Sequence, residues 1–316
     1  MTAAATTADG ARRADVAPLL AAAVTVLLWA SAFVGIRSAG RSFAPGALSL
    51  ARLVVAALGL AALAYARGER FPSRAALRAA GPALVVCGLL WFGAYNLALN
   101  AGERRVDAGT AAMLVNIGPV LIAVLAGVLL REGFPRALFV GCAVAFVGVV
   151  VIAAASANHT ATTTGVLLCL AAALAYAAGV VTQKVVLRSL SGTQTIFLCC
   201  VIGVLACLPF APQLLRELGD APGGSIGWLA YLGIGPTALG FSTWAFALRR
   251  TDAGRLAATT YLVPPLSILL GWLWLGESPA ALAYLGGALC LAGVAVTRSS
   301  GAGRLRRAVS RSGSRS

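Results

Sequence analysis

The sequence predicts an all-α polytopic membrane protein in which ten transmembrane helices form two inverted five-helix repeats, and three observations carry that expectation. Hydrophobic residues make up 59% of the chain and charged residues 11%, where soluble domains run near about 45–50% and about 25%. Apolar runs long enough to cross a bilayer core as helices recur ten times. The chain also repeats itself. Asp107-Ala108-Gly109 and Asp252-Ala253-Gly254 each open an apolar stretch that passes a central proline and ends on a glutamate. One offset of 145 residues carries Ala112 to Ala257, Pro119 to Pro264, Glu132 to Glu277, Gly141 to Gly286 and Gly148 to Gly293. A duplication of that length in so apolar a chain marks two structurally equivalent halves.

The ten runs lie at roughly 17–37, 45–66, 79–99, 108–130, 136–155, 163–184, 193–212, 226–247, 255–276 and 280–297. No water reaches a bilayer core to satisfy backbone groups, so each run must be a helix that makes its own hydrogen bonds. Strand alternation is absent, which argues against a membrane barrel. Residues 1–15 precede span 1 and carry Arg12 and Arg13; span 1 exceeds the about 7–15 apolar residues of a signal peptide and is expected to stay as a helix. Spans 1–5 make a first repeat over 16–155, and residues 156–162 a polar linker that holds His159, the one histidine. Spans 6–10 make a second repeat over 163–297, followed by a basic tail over 298–316. The seven cysteines all fall in apolar runs without C-x-x-C spacing and read as small packing residues.

Orientation follows from the basic residues. With the N terminus in the cytoplasm, 19 Lys and Arg fall inside, five fall outside and Arg52 lies within span 2, which favours both termini inside. The formal net charge of +15 reflects this bias, with the tail arginines against an anionic leaflet. The bilayer is therefore the partner this charge implies, and nucleic acid gains no support from it. An odd number of spans per half makes the second half enter from the opposite side, so the halves are inverted about a site near the midplane.

Pro119 and the Pro264-Pro265 pair fall in the middle of spans 4 and 9, where they are expected to kink the helix and free the carbonyls of Val115, Thr260 and Tyr261. The freed groups are either satisfied by neighbouring helices or line a polar cavity. Asn116 and Tyr261 stand three residues before these prolines and are repeat mates, which puts them forward as opposite walls of one site. Aligning spans 3 and 8 at an offset of 149 pairs Tyr95 with Trp244, with Asn96 and Asn100 beside that face. Spans 1 and 6 align at 147, which pairs Trp29 with Tyr176 and Arg37 with Lys184. The expected substrate-binding set is Trp29, Tyr95, Asn96, Asn116, Tyr176, Trp244 and Tyr261, suited to small amphipathic or aromatic molecules. Arg52 is the one charge clearly inside a span; it either snorkels to the nearer interface or serves a substrate or a gate. No Asp or Glu lies within a span, so a buried carboxylate relay for protons is not expected. Gly141, Gly148, Gly286 and Gly293 form small-residue faces on spans 5 and 10, for packing within one chain or between the two copies of a homodimer.

Trp29-Ala30-Ser31-Ala32-Phe33 in span 1, Arg52 in span 2, Tyr95-Asn96-Leu97-Ala98-Leu99 in span 3, and the proline-to-glutamate pattern of Pro119 with Glu132 and Pro264 with Glu277 resemble the EamA family of the drug/metabolite transporter superfamily. The resemblance covers about residues 17–297. It implies a ten-helix fold with a central cavity lined by spans 1, 3, 4, 6, 8 and 9. It also implies a secondary transporter of a bacterial inner membrane that exports amino acids, other metabolites or drug-like compounds by alternating access. Span 7 departs from span 2 in carrying Cys199 where the repeat places Arg52. An intramembrane enzyme is disfavoured, since G-x-S-x-G, H-E-x-x-H and a buried acidic pair are all missing from the sequence. A membrane scaffold or sensor would give no reason for polar residues at the midplane of inverted halves. Walker A is absent too, and no cofactor is expected.

Overall fold

The structure, a computed structural model, describes residues 2–102, 104–105, 114–156, 162–275 and 281–312. Asp107, Ala108, Gly109, Ala112, His159 and Glu277 lie outside the described residues. The helices in chain order are α1 (Thr2–Ala39), α2 (Pro45–Ala66), α3 (Arg74–Cys87), α4 (Tyr95–Gly102), α5 (Gly118–Leu129), α6 (Arg136–Ser156) and α7 (Thr163–Val186). There follow α8 (Gly192–Cys207), α9 (Ala211–Asp220), α10 (Gly223–Leu232), α11 (Gly240–Leu248), α12 (Ala253–Ala258), α13 (Val263–Leu275) and α14 (Ala281–Ser312). No strand occurs among the described residues.

Among the described residues, six segments are long and apolar enough to cross a membrane: Val16–Ala39, Pro45–Ala66, Arg74–Gly102, Thr163–Val186, Gly192–Asp220 and Ala253–Trp274. Gly118–Leu129, Arg136–Val151 and Tyr284–Thr297 are shorter apolar helices, where spans 4, 5 and 10 are expected. The chain is a multi-pass membrane protein. Local sequence explains several helix starts. Pro45 opens α2 where its missing N–H costs nothing, Thr162 caps α7, and Ser191 with Gln194 forms a capping box on α8.

Spans 3 and 8 are interrupted by seven-residue π-helical segments, Gly88–Ala94 and Gly233–Leu239. These lie 145 residues apart, the same offset that relates spans 4 and 5 to 9 and 10. The local offset of 149 is therefore corrected: the mate of Asn96 is Phe241, and the mate of Trp244 is Leu99. A π turn closes i→i+5 bonds and strains the regular ladder. Polar side chains answer it in both copies. Asn96 Nδ2 donates to the carbonyls of Phe92 and Trp91 at 2.9 and 3.3 Å, and Thr237 Oγ1 to that of Leu232 at 2.7 Å.

Spans 4 and 9 both leave regular α-helix geometry just before their prolines. Pro119 stands in the first turn of α5, after a turn at Asn116 and Ile117. Pro264 and Pro265 stand in the first turn of α13, after a 3-10 segment at Thr259–Leu262. Pro119 stands where a helix start leaves the donor unpaired anyway, whereas Pro264 and Pro265 remove donors from a helix that continues out of the 3-10 segment, as the Val263 N–H to the Thr260 carbonyl shows.

Glycine contacts reveal a pseudo-two-fold axis. A Cβ on Gly88 would lie 2.7 Å from the Cβ of Ile202 on α8, and one on Gly233 would lie 2.5 Å from the Cβ of Val55 on α2. Val55 and Ile202 are themselves repeat mates at the 147 offset of spans 2 and 7, so one contact is made twice. The same holds for α6 and α14: a Cβ on Gly141 would meet the Gly293 carbonyl at 2.6 Å, and one on Gly148 the Gly286 carbonyl at 2.5 Å. These small-residue faces are thus spent on each other inside one chain.

The two ends of the bundle differ. One end gathers the 67–73 loop, the 131–135 turn and the α7–α8 turn, with Ser191 Oγ donating to Glu69 and Gln194 Nε2 to the Arg70 carbonyl at 2.9 Å. It carries Arg67, Arg70, Arg131, Lys184, Arg188, Arg249, Arg250 and Arg255, and we call it the basic end. The opposite end joins Ser42 to Ser225 at 2.9 Å and the Ala44 N–H to Glu217 at 2.9 Å.

Candidate functional site

A cavity of about 110 Å³ opens between the halves, lined from α1, α2, both π-interrupted spans, both broken spans and α7. Its aromatic wall is built from Trp29, Trp91, Tyr95, Tyr176 and Phe241. Trp91 is its centre, with ring centroids 5.0 Å from Phe241, 5.5 Å from Tyr176 and 6.2 Å from Trp29, mostly tilted or edge-on. Such offsets let ring edges meet ring faces, as the aromatic quadrupole prefers.

The polar lining is Arg52, Asn96, Asn100, Asn116 and Thr260. Arg52 does not extend to the interface. It is 7% exposed and its Nε donates to Thr237 Oγ1 at 3.0 Å, so the π segment of span 8 holds the guanidinium in the cavity wall. Asn100 Nδ2 donates to Ser49 Oγ at 2.9 Å, and Ser49 in turn to the Pro45 carbonyl at 2.8 Å. The hydroxyl of Thr260 is committed to the Ala257 carbonyl at 2.8 Å. Tyr176 Oη is buried beside the Thr260 hydroxyl.

Of the residues expected from sequence, Trp29, Tyr95, Asn96, Asn116 and Tyr176 line this cavity, as do Pro119 and Arg52. Tyr261 does not. A 3-10 segment turns about 120° per residue, so Thr260 faces the cavity while Tyr261 is carried into a fully buried cluster with Cys142, Ala145 and Cys290 of α6 and α14. Val115 and Thr260, repeat mates at 145, are the pair that faces the cavity from the two broken spans. Trp244 is also fully buried and lies outside the lining, stacked behind Trp29 at 5.0 Å. The lining aromatics that sequence reasoning passed over are Trp91 and Phe241, and Thr260 was named there only for its freed carbonyl. Trp91 stands four residues before Tyr95 on one helix face, a spacing that could have found it.

The cavity lies nearer the end opposite the basic one. Asn100 is two residues from the end of α4, and Arg52 about 10 Å from the start of α2. At the basic end a second carboxylate, Glu132, ties the halves besides the Ser191–Glu69 bond. Glu132 accepts from Lys184 Nζ at 2.7 Å, from the Ala253 N–H at 2.9 Å and from the Gly254 N–H at 3.4 Å. The turn that aims it there takes positive φ at Arg131 (58°) and Gly133 (78°). Lys184 also donates to the Thr251 carbonyl at 2.5 Å.

Comparison with known proteins agrees with this architecture. The model of the EamA-like transporter family matches residues 17–154 and again 163–299. A probable terminal-alkyne amino-acid exporter of Streptantibioticus cattleyicolor is 37% identical over 285 residues, covering 90% of this chain and 94% of that one. The uncharacterized transporter YdfC of Bacillus subtilis is 29% identical, covering 90% and 92%. A probable amino-acid metabolite efflux pump of Salmonella typhimurium is 27% identical, covering 64% and 71%. One solved crystal structure superposes with a TM-score of 0.73 over 88% of this chain and 95% of its own, at 22% identity, and so shares the fold. With the duplicated match, the 37% relative and the paired breaks around one cavity, the chain belongs to the EamA-like transporter family.

Proposed function

We propose that this protein is a secondary transporter of the bacterial inner membrane that exports small metabolites, amino acids or related molecules among them, or drug-like compounds. Transport runs by alternating access through ten membrane crossings, with both termini in the cytoplasm. The observation that carries the reading is the pairing of widened and broken helices around one cavity by an inverted repeat. Spans 3 and 8 carry the π segments, and spans 4 and 9 the breaks. Irregular backbone at membrane depth is tolerated where it lines a cavity, and inverted halves supply two related conformations that open to opposite sides. The printed functions of the relatives, an amino-acid exporter and an amino-acid metabolite efflux pump, support export.

The basic end is the cytoplasmic end under the positive-inside rule. The Glu132–Lys184 tie then closes the cytoplasmic side, and the cavity is offset toward the outside. Trp29, Tyr95, Asn96, Asn116 and Tyr176 hold the substrate, and Arg52 contributes charge to it. The cavity is small beside the about 300–1,000 Å³ typical of sites for drug-sized ligands, which supports a metabolite of modest size. Counter-transport in proteoliposomes, with amino acids and cationic dyes as the panel, tests the proposal. Counterflow of at least one compound that Trp91→Ala abolishes is the expected result. Absence of counterflow for the whole panel, by protein that is folded and inserted, would refute it.

A further inference from the structure

Repeat mates on α1 and α7 sit in opposite surroundings. Trp29, Phe33 and Ile36 of α1 are half-buried and line the cavity together with Ala32. Their mates at the 147 offset are Tyr176, Val180 and Gln183 of α7, with Gly179 answering Ala32. Tyr176 alone among these four lines the cavity. Val180 and Gln183 are fully buried, and a Cβ on Gly179 would run into that of Trp91.

The mates correspond in space as well as in sequence. The Tyr176 ring lies 5.9 Å from that of Tyr95, and a Cβ on Gly118 would meet it at 2.6 Å. Trp29 meets Gly240, the mate of Tyr95, where an added Cβ would lie 3.1 Å from Trp29 Nε1. Trp29 also packs against the cluster of Val263, the mate of Gly118. The two helices therefore hold equivalent places in the two halves, and one has its inner face open while the other has it closed. In inverted halves, the face that opens in one state is the mate of the face that opens in the other.

Gln183 shows the difference most sharply. It is 0% exposed, and neither Oε1 nor Nε2 has a hydrogen-bond partner among the described residues. A buried amide left unanswered is costly, and such a group in a folded chain calls for a reason. Its mate Ile36 is apolar, so the amide is no requirement of the repeat. Gln183 stands two turns beyond Tyr176 on α7 and directly before Lys184, whose Nζ is held by Glu132 at 2.7 Å. It thus lies behind the tie that shuts the basic end.

We propose that Gln183 lines a second cavity, which opens to the basic end in the alternate conformation, and that its amide there hydrogen-bonds the molecule in transit. The inference rests on the transporter reading above and adds a residue that the cavity of this conformation does not contain. Tyr176 is common to both walls. In this conformation the unpaired amide works against closure, so the same side chain biases the exchange toward opening at the basic end.

The test is labelling of introduced cysteines in the full chain by 2-(trimethylammonium)ethyl methanethiosulfonate, a membrane-impermeant cation. It is applied to one side of oriented vesicles while a compound of the counterflow panel exchanges. The native cysteines are buried, and the unsubstituted protein sets the background. Ile36→Cys should react from the end opposite the basic one, and Gln183→Cys and Val180→Cys from the basic end. Gln183→Leu should raise Tm, because it removes the unpaired amide from this conformation. It should also raise the KM measured from the basic side about tenfold and change that from the other side by less than about twofold. Exchange that persists while neither Gln183→Cys nor Val180→Cys reacts from the basic end overturns the inference and leaves the transporter reading standing. Val180→Cys keeps that arm open should Gln183→Cys fail to fold. A Gln183→Leu variant with lower Tm and equal KM shifts from both sides, or none, would show a structural amide and overturn its part in binding. Absence of exchange by folded, inserted protein would remove both readings.

Discussion

Replacing Glu132 by Gln should unlatch the basic end. The carboxylate joins Lys184 Nζ at 2.7 Å and the first N–H groups of α12 at 2.9 and 3.4 Å, with the Lys184 and Glu132 side chains 20% and 12% exposed. Glutamine keeps one acceptor oxygen at the Oε1 position, where Lys184 Nζ and the Ala253 N–H both meet it, and loses the charge and the acceptor of the Gly254 N–H. Lys184 keeps the Thr251 carbonyl. The net loss is the ion pair with Lys184 and the bond to Gly254, about 1.5–3 kcal/mol. At about 1.4 kcal/mol per factor of ten, that is about 10- to 150-fold in the ratio of open to closed at this end. Because Lys184 keeps some solvent, the lower part of that range is expected, about 10- to 30-fold. The assay is modification of a cysteine at Val115, which lines the cavity, by a membrane-impermeant maleimide applied from the basic end of oriented vesicles. The seven native cysteines are all buried, so the unsubstituted protein sets the background. Lys184→Gln should give the same acceleration, and the double variant should add little to either single one, since both remove the same bond. A folded Glu132→Gln variant labelled at the unaltered rate would show that this tie does not govern access.

Four other outcomes are expected. A cysteine at Ala221 should be labelled on intact cells from outside, and labelling only after permeabilisation would invert the topology. Asn116→Ala should weaken ligand binding about tenfold, whereas Tyr261→Ala should spare affinity and cost about 3–5 kcal/mol of stability; Tyr261→Phe should be neutral or stabilising in thermal unfolding, because Tyr261 Oη is buried without a partner among the described residues. Gly148→Ala would put a Cβ 2.5 Å from the Gly286 carbonyl, so α6 and α14 must part at about 1–3 kcal/mol, read as a lower Tm in detergent. Glu132→Gln should still show gradient-driven flux, since no Asp or Glu lines the cavity; loss of coupling with binding intact would assign the coupling proton to that carboxylate.

Sequence reasoning reached far where the repeat is gapless and fell short where the backbone changes its pitch. The constant 145 offset pointed to the breaks before Pro119 and Pro264 and to the glycine faces of α6 and α14, because these depend on residue type alone. It could not say which side chain at each break turns inward. Asn116 sits in a turn and Tyr261 in a 3-10 segment, so equal sequence positions end up facing different surroundings. The π segments were invisible for a related reason. Gly88-Leu89-Leu90-Trp91 and Gly233-Ile234-Gly235-Pro236 share no pattern beyond their first glycine. Taking the loop after span 3 as four residues longer pairs Tyr95 with Trp244, four residues out of register, and leaves Trp91 out of the site.

The symmetric and asymmetric parts of the molecule divide along functional lines. Contacts between the halves come in mates, Gly88 on Ile202 and Gly233 on Val55, Gly141 on Gly293 and Gly148 on Gly286. Packing of this kind keeps its energy when the halves exchange conformations, and a carrier needs its two states close in free energy so that a ligand with modest differential affinity can shift them. The cavity lining obeys no such rule, since Arg52 answers to Cys199 and Asn96 to Phe241. A ligand with one charged end has no two-fold symmetry, and a site that binds it in both states must present one polar wall throughout. On the proposed alternating-access reading, the first half carries recognition in both conformations, and the duplicated glycine contacts keep the exchange between them nearly level. The substitution that restores the repeat's arginine, Cys199→Arg, would place a second guanidinium beside Cys87 and Cys200, inside a cluster where Cys199 is fully buried. Burying that unpaired charge should cost folded yield before it alters selectivity.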